Sequence, residues 1–353
     1  MVEAANALRA RLRSNEREET DRDYIESCFG RSIYGPQQLA LIEQQHCTGN
    51  HLGCHLWFTR GTQPADRPRG AAAEHLAEQA AEQARLNRAA YARDSELYQS
   101  ALLRLTEQIR NCMLVHRQPD AVPARQGQLD GARVWREPVL RDDRVFLRSD
   151  EDPKPAFTVD LLLDGSASRL HCQETIAAQG YILAKSLAAC GIDVRVSSFC
   201  SLRGYTVLRV LKGFADKSLQ GIDQYFASGW NRDGLALRAA GDLVSFDPGP
   251  APRHLLILLT DASPNDSRRV PPSSENPLGH DYGGAFGVDD AAAEVRTLRR
   301  KGLRVSAVFM GEDRSIPDAE RIYGKDLARI RGMDQLARAA GQLIQNEIRE
   351  LGD

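Results

Sequence analysis

The stretch Phe157-Thr158-Val159-Asp160-Leu161-Leu162-Leu163-Asp164-Gly165-Ser166-Ala167-Ser168 decides the fold of this chain. Its first half is an almost continuous apolar run, which is typical of a strand buried on both faces of a parallel sheet. The run ends in an acid followed by two hydroxyls, Asp164, Ser166 and Ser168. Hard cations such as Mg²⁺ prefer oxygen ligands of these kinds. The stretch therefore predicts a buried strand with a divalent-metal site at its carboxyl end.

A second run, His254 to Asp261, repeats this design with an acid at its tip. Ligands of open α/β sheets gather at the carboxyl ends of strands, so Asp164 and Asp261 are expected to converge. Between the two runs, the segment Gly229 to Leu237 contains Asn231 and Asp233 at a predicted helix start. Each piece alone has a simpler explanation, because Asp-Gly-Ser is common turn chemistry and an acid favours a helix N-terminus. Together they favour a metal site.

These residues resemble the metal-ion-dependent adhesion site of the von Willebrand factor A (VWA) family. The family pattern is Asp-x-Ser-x-Ser, then a Thr-bearing loop, then an Asp. This chain departs from the pattern in the middle, where Asn231 stands at the Thr position and Asp233 follows. The resemblance implies Mg²⁺, or another divalent cation such as Mn²⁺ or Ca²⁺. The implied metal ligands are Asp164, Ser166, Ser168, Asn231 or Asp233, and Asp261.

The Asn-x-Asp-Gly stretch resembles a bacterial subgroup of that family, which contains the nitric-oxide-reductase activation protein and a cobaltochelatase subunit. The resemblance implies a non-enzymatic adaptor whose metal binds a carboxylate of a protein partner. It also implies that the partner is an AAA+ ATPase of the MoxR or chelatase type, acting in cofactor insertion or enzyme assembly. That ATPase would be a separate chain, because no Gly-x-x-x-x-Gly-Lys-Ser/Thr phosphate loop occurs here.

An enzymatic alternative uses the same oxygens. In it, Asp164 and Asp261 would serve a metal-dependent hydrolase or phosphotransferase, with Asp164 as nucleophile or ligand. The sequence offers no general base near either acidic tip. Ser166 also stands where an aspartyl phosphotransferase would have its second Asp. These observations favour the binding module.

The second half of the chain alternates between strands and helices, which predicts an α/β fold: a Rossmann-like, mainly parallel sheet with helices on both faces. We predict one antiparallel hairpin, Asp193–Phe199 with Thr206–Leu211. A long Pro- and Gly-bearing loop, Ser263–Val288, is expected to be a lid, a partner contact or a flexible insertion. The other predicted strands are Phe157–Asp164, His254–Asp261, Leu303–Met310 and Leu327–Ile330, and the predicted helices are Gln173–Ala189, Ser218–Phe226, Gly234–Leu243, Asp289–Lys301 and Met333–Leu351.

The first half predicts helices at Ala4–Phe29, Gln37–Gln45 and Ala71–Val115, the last as one long helix without Pro or Gly. Thr59–Gly70 is expected to be an exposed loop and Arg117–Gly131 a linker. We therefore predict a helical N-terminal region over residues 1–130 and a VWA domain with its metal site over residues 150–353.

Composition narrows the function further. The 353 residues carry a formal net charge of -2, which argues against a general nucleic-acid binder. No apolar run is long enough to span a membrane and the N-terminus does not resemble a secretory signal, so a cytoplasmic location is expected. One cluster, His46, Cys47, His51, Cys54 and His55, could hold Zn²⁺ or could form a compact turn with buried Cys and surface His.

Overall fold

A computed structural model describes residues 18–62, 68–116, 121–149, 157–247, 249–251, 253–272 and 277–352. Residues 18–29 form the described part of helix α1. The further helices are α2 Pro36–His46, α3 Ala71–Arg93, α4 Ser95–His116, α5 Arg136–Leu140, α6 Gln173–Ala189, α7 Asp233–Phe246, α8 Gly284–Arg300, α9 Ile316–Tyr323 and α10 Met333–Gly352. The strands are β1 His55–Thr59, β2 Ala121–Ala124, β3 Gln128–Leu129, β4 Phe146–Ser149, β5 Phe157–Asp164, β6 Val194–Leu202, β7 Tyr205–Lys212, β8 Arg253–Thr260, β9 Asn265–Val270, β10 His280–Gly283, β11 Arg304–Phe309 and β12 Leu327–Arg329.

Among the described residues, seven strands form the central sheet in the order β1-β7-β6-β5-β8-β11-β12. Neighbouring strands are parallel except for the β6–β7 hairpin, as the sequence predicts. All eight residues of β5 are buried, which agrees with a central strand covered on both sides. The strand order confirms the predicted α/β class.

Helices cover both faces of the sheet. On one face, α4, α6 and α10 contribute Leu105, Ile182 and Ile344 to a core that includes Val159 of β5. On the other face, residues of α7, α8 and α9 pack against β5, β8 and β11, and Ile25 of α1 belongs to the same cluster. The polar ends of the strands are therefore left at the rims, where the carboxyl end of β5 carries Asp164.

The first 130 residues contribute more than helices. Strand β1 pairs in parallel with β7 as an edge of the central sheet, at a place where the sequence indicates only a turn. The predicted long helix is two helices that meet at Asp94, because the chain leaves helical geometry there. Residues 4–17 of the first predicted helix and residues 117–120 of the expected linker lie outside the described part of the chain. The division into two domains stays a prediction.

Two predicted irregular segments contain regular structure. The expected linker contributes β2 and β3 to a small antiparallel sheet with β4. The expected loop after Asp261 contains the hairpin β9–β10, and α8 begins at Gly284, five residues before the predicted start. The helix predicted at Ser218–Phe226 is only a short 3-10 turn, Gln220–Gln224. In the part of the chain that the structure describes, no helix is both long and apolar enough to cross a membrane.

Candidate metal centre

Asp164 and Asp261 lie side by side at the carboxyl ends of two neighbouring strands. Strands β5 and β8 run in parallel with Leu163 opposite Leu259, so the residues that follow emerge together. Both carboxylates are buried. The hydroxyl of Thr260 approaches Oδ2 of Asp164 at 3.5 Å and accepts a hydrogen bond from the Ala262 backbone N–H at 2.9 Å. The predicted convergence of the two strand tips is therefore present in the structure.

The two serines join these acids in a hydrogen-bonded chain. The backbone N–H of Ser166 donates to Oδ1 of Asp164 at 2.9 Å, which fixes the turn after β5. The Ser166 and Ser168 hydroxyl oxygens are 2.9 Å apart, and the Ser168 hydroxyl donates to Oδ2 of Asp261 at 2.8 Å. The motif thus presents its oxygens around a common point.

The loop that precedes α7 is bound on one side to the β6–β7 hairpin and on the other side to the segment after Asp261. Gly229 has φ +68°, and a Cβ atom there would lie 2.5 Å from the Ser201 carbonyl oxygen, so this position requires glycine. The side chain of Asn231 is bound on both ends: its Nδ2 donates to the Ser263 carbonyl at 3.2 Å, and its Oδ1 accepts from the Asn265 N–H at 3.2 Å. Asn231 therefore connects the loop before α7 to the segment after Asp261 through two hydrogen bonds.

Asp233 differs from Asn231 because its carboxylate is completely buried and neither oxygen accepts a hydrogen bond from a residue in the described ranges. Burial raises its pKa well above the usual value, and the negative charges of Asp164 and Asp261 raise it further. Asn231 opposes this shift through a contact that falls short of hydrogen-bond geometry. Burial, followed by the charge of Asp261, likewise raises the pKa of Asp164 to about 7. An unpartnered buried carboxylate beside two others is costly, and a cation at this point would remove that cost.

Arg169 is a member of this site that the sequence pattern did not identify. Its side chain is 6% exposed, and its Nη2 forms an ion pair with Oδ2 of Asp261. Its Nη1 also donates to the Met310 carbonyl at 3.2 Å and its Nε to the Ser168 hydroxyl at 3.3 Å. The sequence places Arg169 directly after the motif in a polar turn, where arginine is usually solvated, so no local signal could reveal this burial.

A second group of possible ligands, His51, Asp290 and Glu294, brings its ligand atoms within 4.8 Å of one another. The Nε of Arg232 donates to Nδ1 of His51 at 3.1 Å. Burial lowers the His51 pKa to about 2, with help from Arg238 and Arg232, so the ring is neutral. Because Nδ1 accepts a hydrogen bond, the single ring proton lies on Nε2, which faces the carboxylates. This nitrogen is a donor, and the group does not form a metal site.

The structure does not bring the five-residue His and Cys cluster together around one point. His46 binds Asp242 at 3.0 Å through its Nε2, and the His55 ring stacks on Tyr205. Cys47 and Cys54 are buried, as the compact-turn interpretation expects. His46 and His51 are also buried, so the expected surface position is wrong for both. Each has a specific polar neighbour that stabilises it inside the protein.

No protein-family model matches the chain, and no curated protein matches its sequence. Similar solved structures include the vWF domain of the type V pili tip protein Mfa5 from Porphyromonas gingivalis, at 12% identity and a TM-score of 0.42, over 57% of this chain and 98% of that one. Manganese-loaded TRAP protein of Plasmodium vivax is 15% identical, with a TM-score of 0.39, over 54% and 74%. The SpRpn10 VWA domain is 10% identical, with a TM-score of 0.35, over 52% and 94%. The α/β class of this chain rests on its own strand order.

Proposed function

We propose that this chain is a metal-dependent protein-binding module without catalytic activity. The observation that carries the proposal is the Asp233 carboxylate, which is fully buried, has no hydrogen-bond partner among the described residues and interacts electrostatically with Asp164 and Asp261. A divalent cation is the ligand that such a carboxylate needs, because oxygen ligands and negative charge are what Mg²⁺ and related ions bind. Asp233 is therefore a better candidate than Asn231 for the middle ligand, since the Asn231 amide is already bound on both ends.

The charges of the site suit a divalent cation. The three carboxylates of Asp164, Asp233 and Asp261 contribute three negative charges when ionised, and Arg169 contributes one positive charge. The net charge of two negatives equals the charge that a divalent ion neutralises. Compared with the Thr-bearing pattern of the family, Asp233 adds a negative charge, and Arg169 compensates for it through its ion pair with Asp261.

The chain would hold the ion through Asp164, Asp233 and Asp261 together with the Ser166 and Ser168 hydroxyls. When bound, Mg²⁺ keeps exchangeable waters and would supply a positive centre that a partner carboxylate can join. Arg169 holds Asp261 in place and prevents excess negative charge from repelling that carboxylate. Ser168 is exposed, so the site is open to a partner on that side.

The identity of the metal ion and of the protein partner is inferred from the sequence resemblance alone. We propose Mg²⁺ as the ion and a separately encoded AAA+ ATPase of the MoxR or chelatase type as the partner, in the bacterial cytoplasm. Mixing the purified chain with such an ATPase should give a complex that EDTA dissociates. A hydrolytic activity that disappears in Asp164→Asn would contradict the non-enzymatic role.

Isothermal titration of Mg²⁺ into EDTA-stripped protein tests the core of the proposal. The parent should bind one ion, and Asp233→Asn should weaken binding by at least about tenfold, because it removes an anionic ligand without changing the shape of the side chain. Asp193→Asn is the matched control, since Asp193 is exposed at the opposite, amino end of β6. Equal affinities for all three proteins would refute the assignment of Asp233.

A further inference from the structure

A groove leads away from the candidate metal site between helix α3 and the two loops that carry the proposed ligands. Its volume is about 630 Å³. One end is lined by Ala167, which lies between the two serines of the metal motif, and by Gly229, which precedes the middle loop. A molecule bound in the groove would therefore also reach the metal site.

The floor of the groove is a fixed network of side-chain amides. The Gln173 Nε2 donates to Oε1 of Gln83 on α3 at 3.0 Å, and its Oε1 accepts from the Ala227 backbone N–H at 2.7 Å. Asn87 of α3 donates to the carbonyl of Tyr225 at 2.9 Å. These bonds hold α3 against the loop before Asn231. The groove is thus formed before any partner binds, which lowers the entropic cost of binding.

The walls of the groove present apolar side chains next to the metal site. Leu170 lies on the 3-10 turn Ala167–Cys172 and is 53% exposed, while Phe226 is half-buried. Trp230, 44% exposed, directly follows the lining residue Gly229 in the loop before α7. Exposed apolar groups around a polar site are typical of protein-binding surfaces, and tryptophan is common among residues that dominate binding energy.

The rim of the groove is acidic. Glu78 and Glu82 line it from α3, whereas none of its described lining residues is Lys or Arg. Glu82 forms an ion pair with Arg85, which lies three residues further along the same helix. Glu78 is exposed and has no ion pair with a residue in the described ranges. The rim thus complements a positively charged side chain.

We infer that the groove is a specificity site for an extended partner segment with three features in a row: an acidic residue, an apolar residue and a Lys or Arg. The acid would join the metal, the apolar side chain would pack on Leu170 and Phe226, and the basic side chain would pair with Glu78. This inference rests on the proposed function, because the acidic residue binds through the metal. It adds the sequence preference of the partner, which the metal alone cannot impose.

Selection of phage-displayed random dodecapeptides on the immobilised full chain in Mg²⁺, with elution by EDTA, tests the inference. Enriched peptides should carry Asp or Glu, then an apolar residue, then Lys or Arg. One enriched peptide, synthesised with a fluorescent label, is then titrated with variants. Leu170→Ser and Glu78→Lys should each weaken its binding by about fivefold or more. Leu103→Ser and Glu107→Lys, at exposed positions on α4, should not.

A titration of Mg²⁺ into the same variants distinguishes a failure of the groove from a failure of the metal site. All four variants should keep the parent's Mg²⁺ affinity, because none is a proposed ligand. EDTA-sensitive peptides that share only an acid, or that bind Leu170→Ser and Glu78→Lys as tightly as the parent, would overturn the groove and leave the metal-dependent module intact. Peptides that bind equally well in EDTA, or no enrichment at all, would contradict both the groove specificity and the metal-dependent module.

Discussion

Arg169 determines how much negative charge the proposed metal site carries. Its buried guanidinium pairs with Asp261, which is also bound by the Ser168 hydroxyl. A fixed positive charge this close to a cation opposes cation binding by Coulomb repulsion, even at the effective dielectric of a partly buried site. The side chain therefore lowers metal affinity and, in return, stabilises the metal-free protein.

Arg169→Gln should therefore bind Mg²⁺ more tightly than the parent, by about tenfold, while its metal-free form should melt at a lower temperature. The second effect follows because Asp261 loses its ion-pair partner inside the protein. Calorimetric titration and thermal melts in EDTA measure the two quantities. Arg85→Gln is the control, because Arg85 is exposed and, within the described part of the chain, its ion pair is with its helix neighbour Glu82. Weaker Mg²⁺ binding by Arg169→Gln would show that the arginine supports the site in another way.

The raised pKa values predict how Mg²⁺ binding depends on pH. In the metal-free protein the pKa of Asp164 is about 7 and that of Asp233 is raised well above its usual value, with burial as the main cause. The folded state then binds more protons than the unfolded state between about pH 4 and 7, so this contribution to metal-free stability is lost as the pH rises through 7. The metal must displace these protons.

The increase in melting temperature caused by Mg²⁺ should accordingly be larger at pH 8 than at pH 5.5. Thermal melts at the two pH values, each with EDTA and with saturating Mg²⁺, measure it. At the same Mg²⁺ concentrations, Asp233→Asn should be stabilised less than the parent at both pH values. An increase that is independent of pH would mean that Asp164 and Asp233 are already ionised without the metal.

Some of these residues could be predicted from the sequence and others could not. Asp164, Ser166 and Ser168 are close along the chain and directly follow a strand, so a local pattern is enough to bring them together. The choice between Asn231 and Asp233 depends on the tertiary contact of Asn231 with the segment Ser263 to Asn265, because that contact already uses both ends of the Asn231 amide. The sequence therefore leaves that choice open.

The N-terminal helices are packed into the same cores as the sheet. Residues Leu105 and Ile109 of α4 are fully buried in a cluster with residues of α6 and α10. If this packing supports the sheet, truncating either side chain should destabilise the whole protein. Leu105→Ala is expected to lower the free energy of unfolding by about 2–5 kcal/mol, the usual cost of a large-to-small core substitution.

Urea unfolding followed by circular dichroism and by tryptophan fluorescence measures this cost. Leu103→Ala, on the exposed side of α4, should change the free energy of unfolding by less than about 0.5 kcal/mol. A single transition that shifts for Leu105→Ala supports one cooperative unit. Two transitions, with only one affected, would support the two-domain division predicted from the sequence.

The elements that the sequence missed are those whose structure depends on distant partners. Strand β1 has only five residues, and its pairing with β7 joins positions about 150 residues apart, so no local periodicity could place it in the sheet. The break at Asp94 has no Pro or Gly to mark it. By contrast, β5 and β8 are long apolar runs with turn residues at their ends, and these signals were sufficient.

The parallel sheet of the whole molecule explains why three acids separated by up to 97 positions meet at one point. Strands β5 and β8 deliver Asp164 and Asp261, and the first turn of α7 places Asp233 beside them. Folding therefore works against their mutual repulsion unless a cation is present. The central claim, that this chain binds a divalent metal through Asp233, follows from that arrangement.

Thermal melts of the parent and of Asp233→Asn, in EDTA and in Mg²⁺ at pH 8, test this claim most directly. Mg²⁺ should stabilise the parent, by about 2.7 kcal/mol at a hundred times its dissociation constant, because a ligand stabilises the state that it binds. In EDTA, Asp233→Asn should be at least as stable as the parent, since the amide removes a buried charge, and the same Mg²⁺ concentration should stabilise it by at most about half as much, because its dissociation constant is at least about tenfold higher. If Mg²⁺ raises the melting temperature of both proteins equally, or of neither, Asp233 does not hold a metal and the account is wrong.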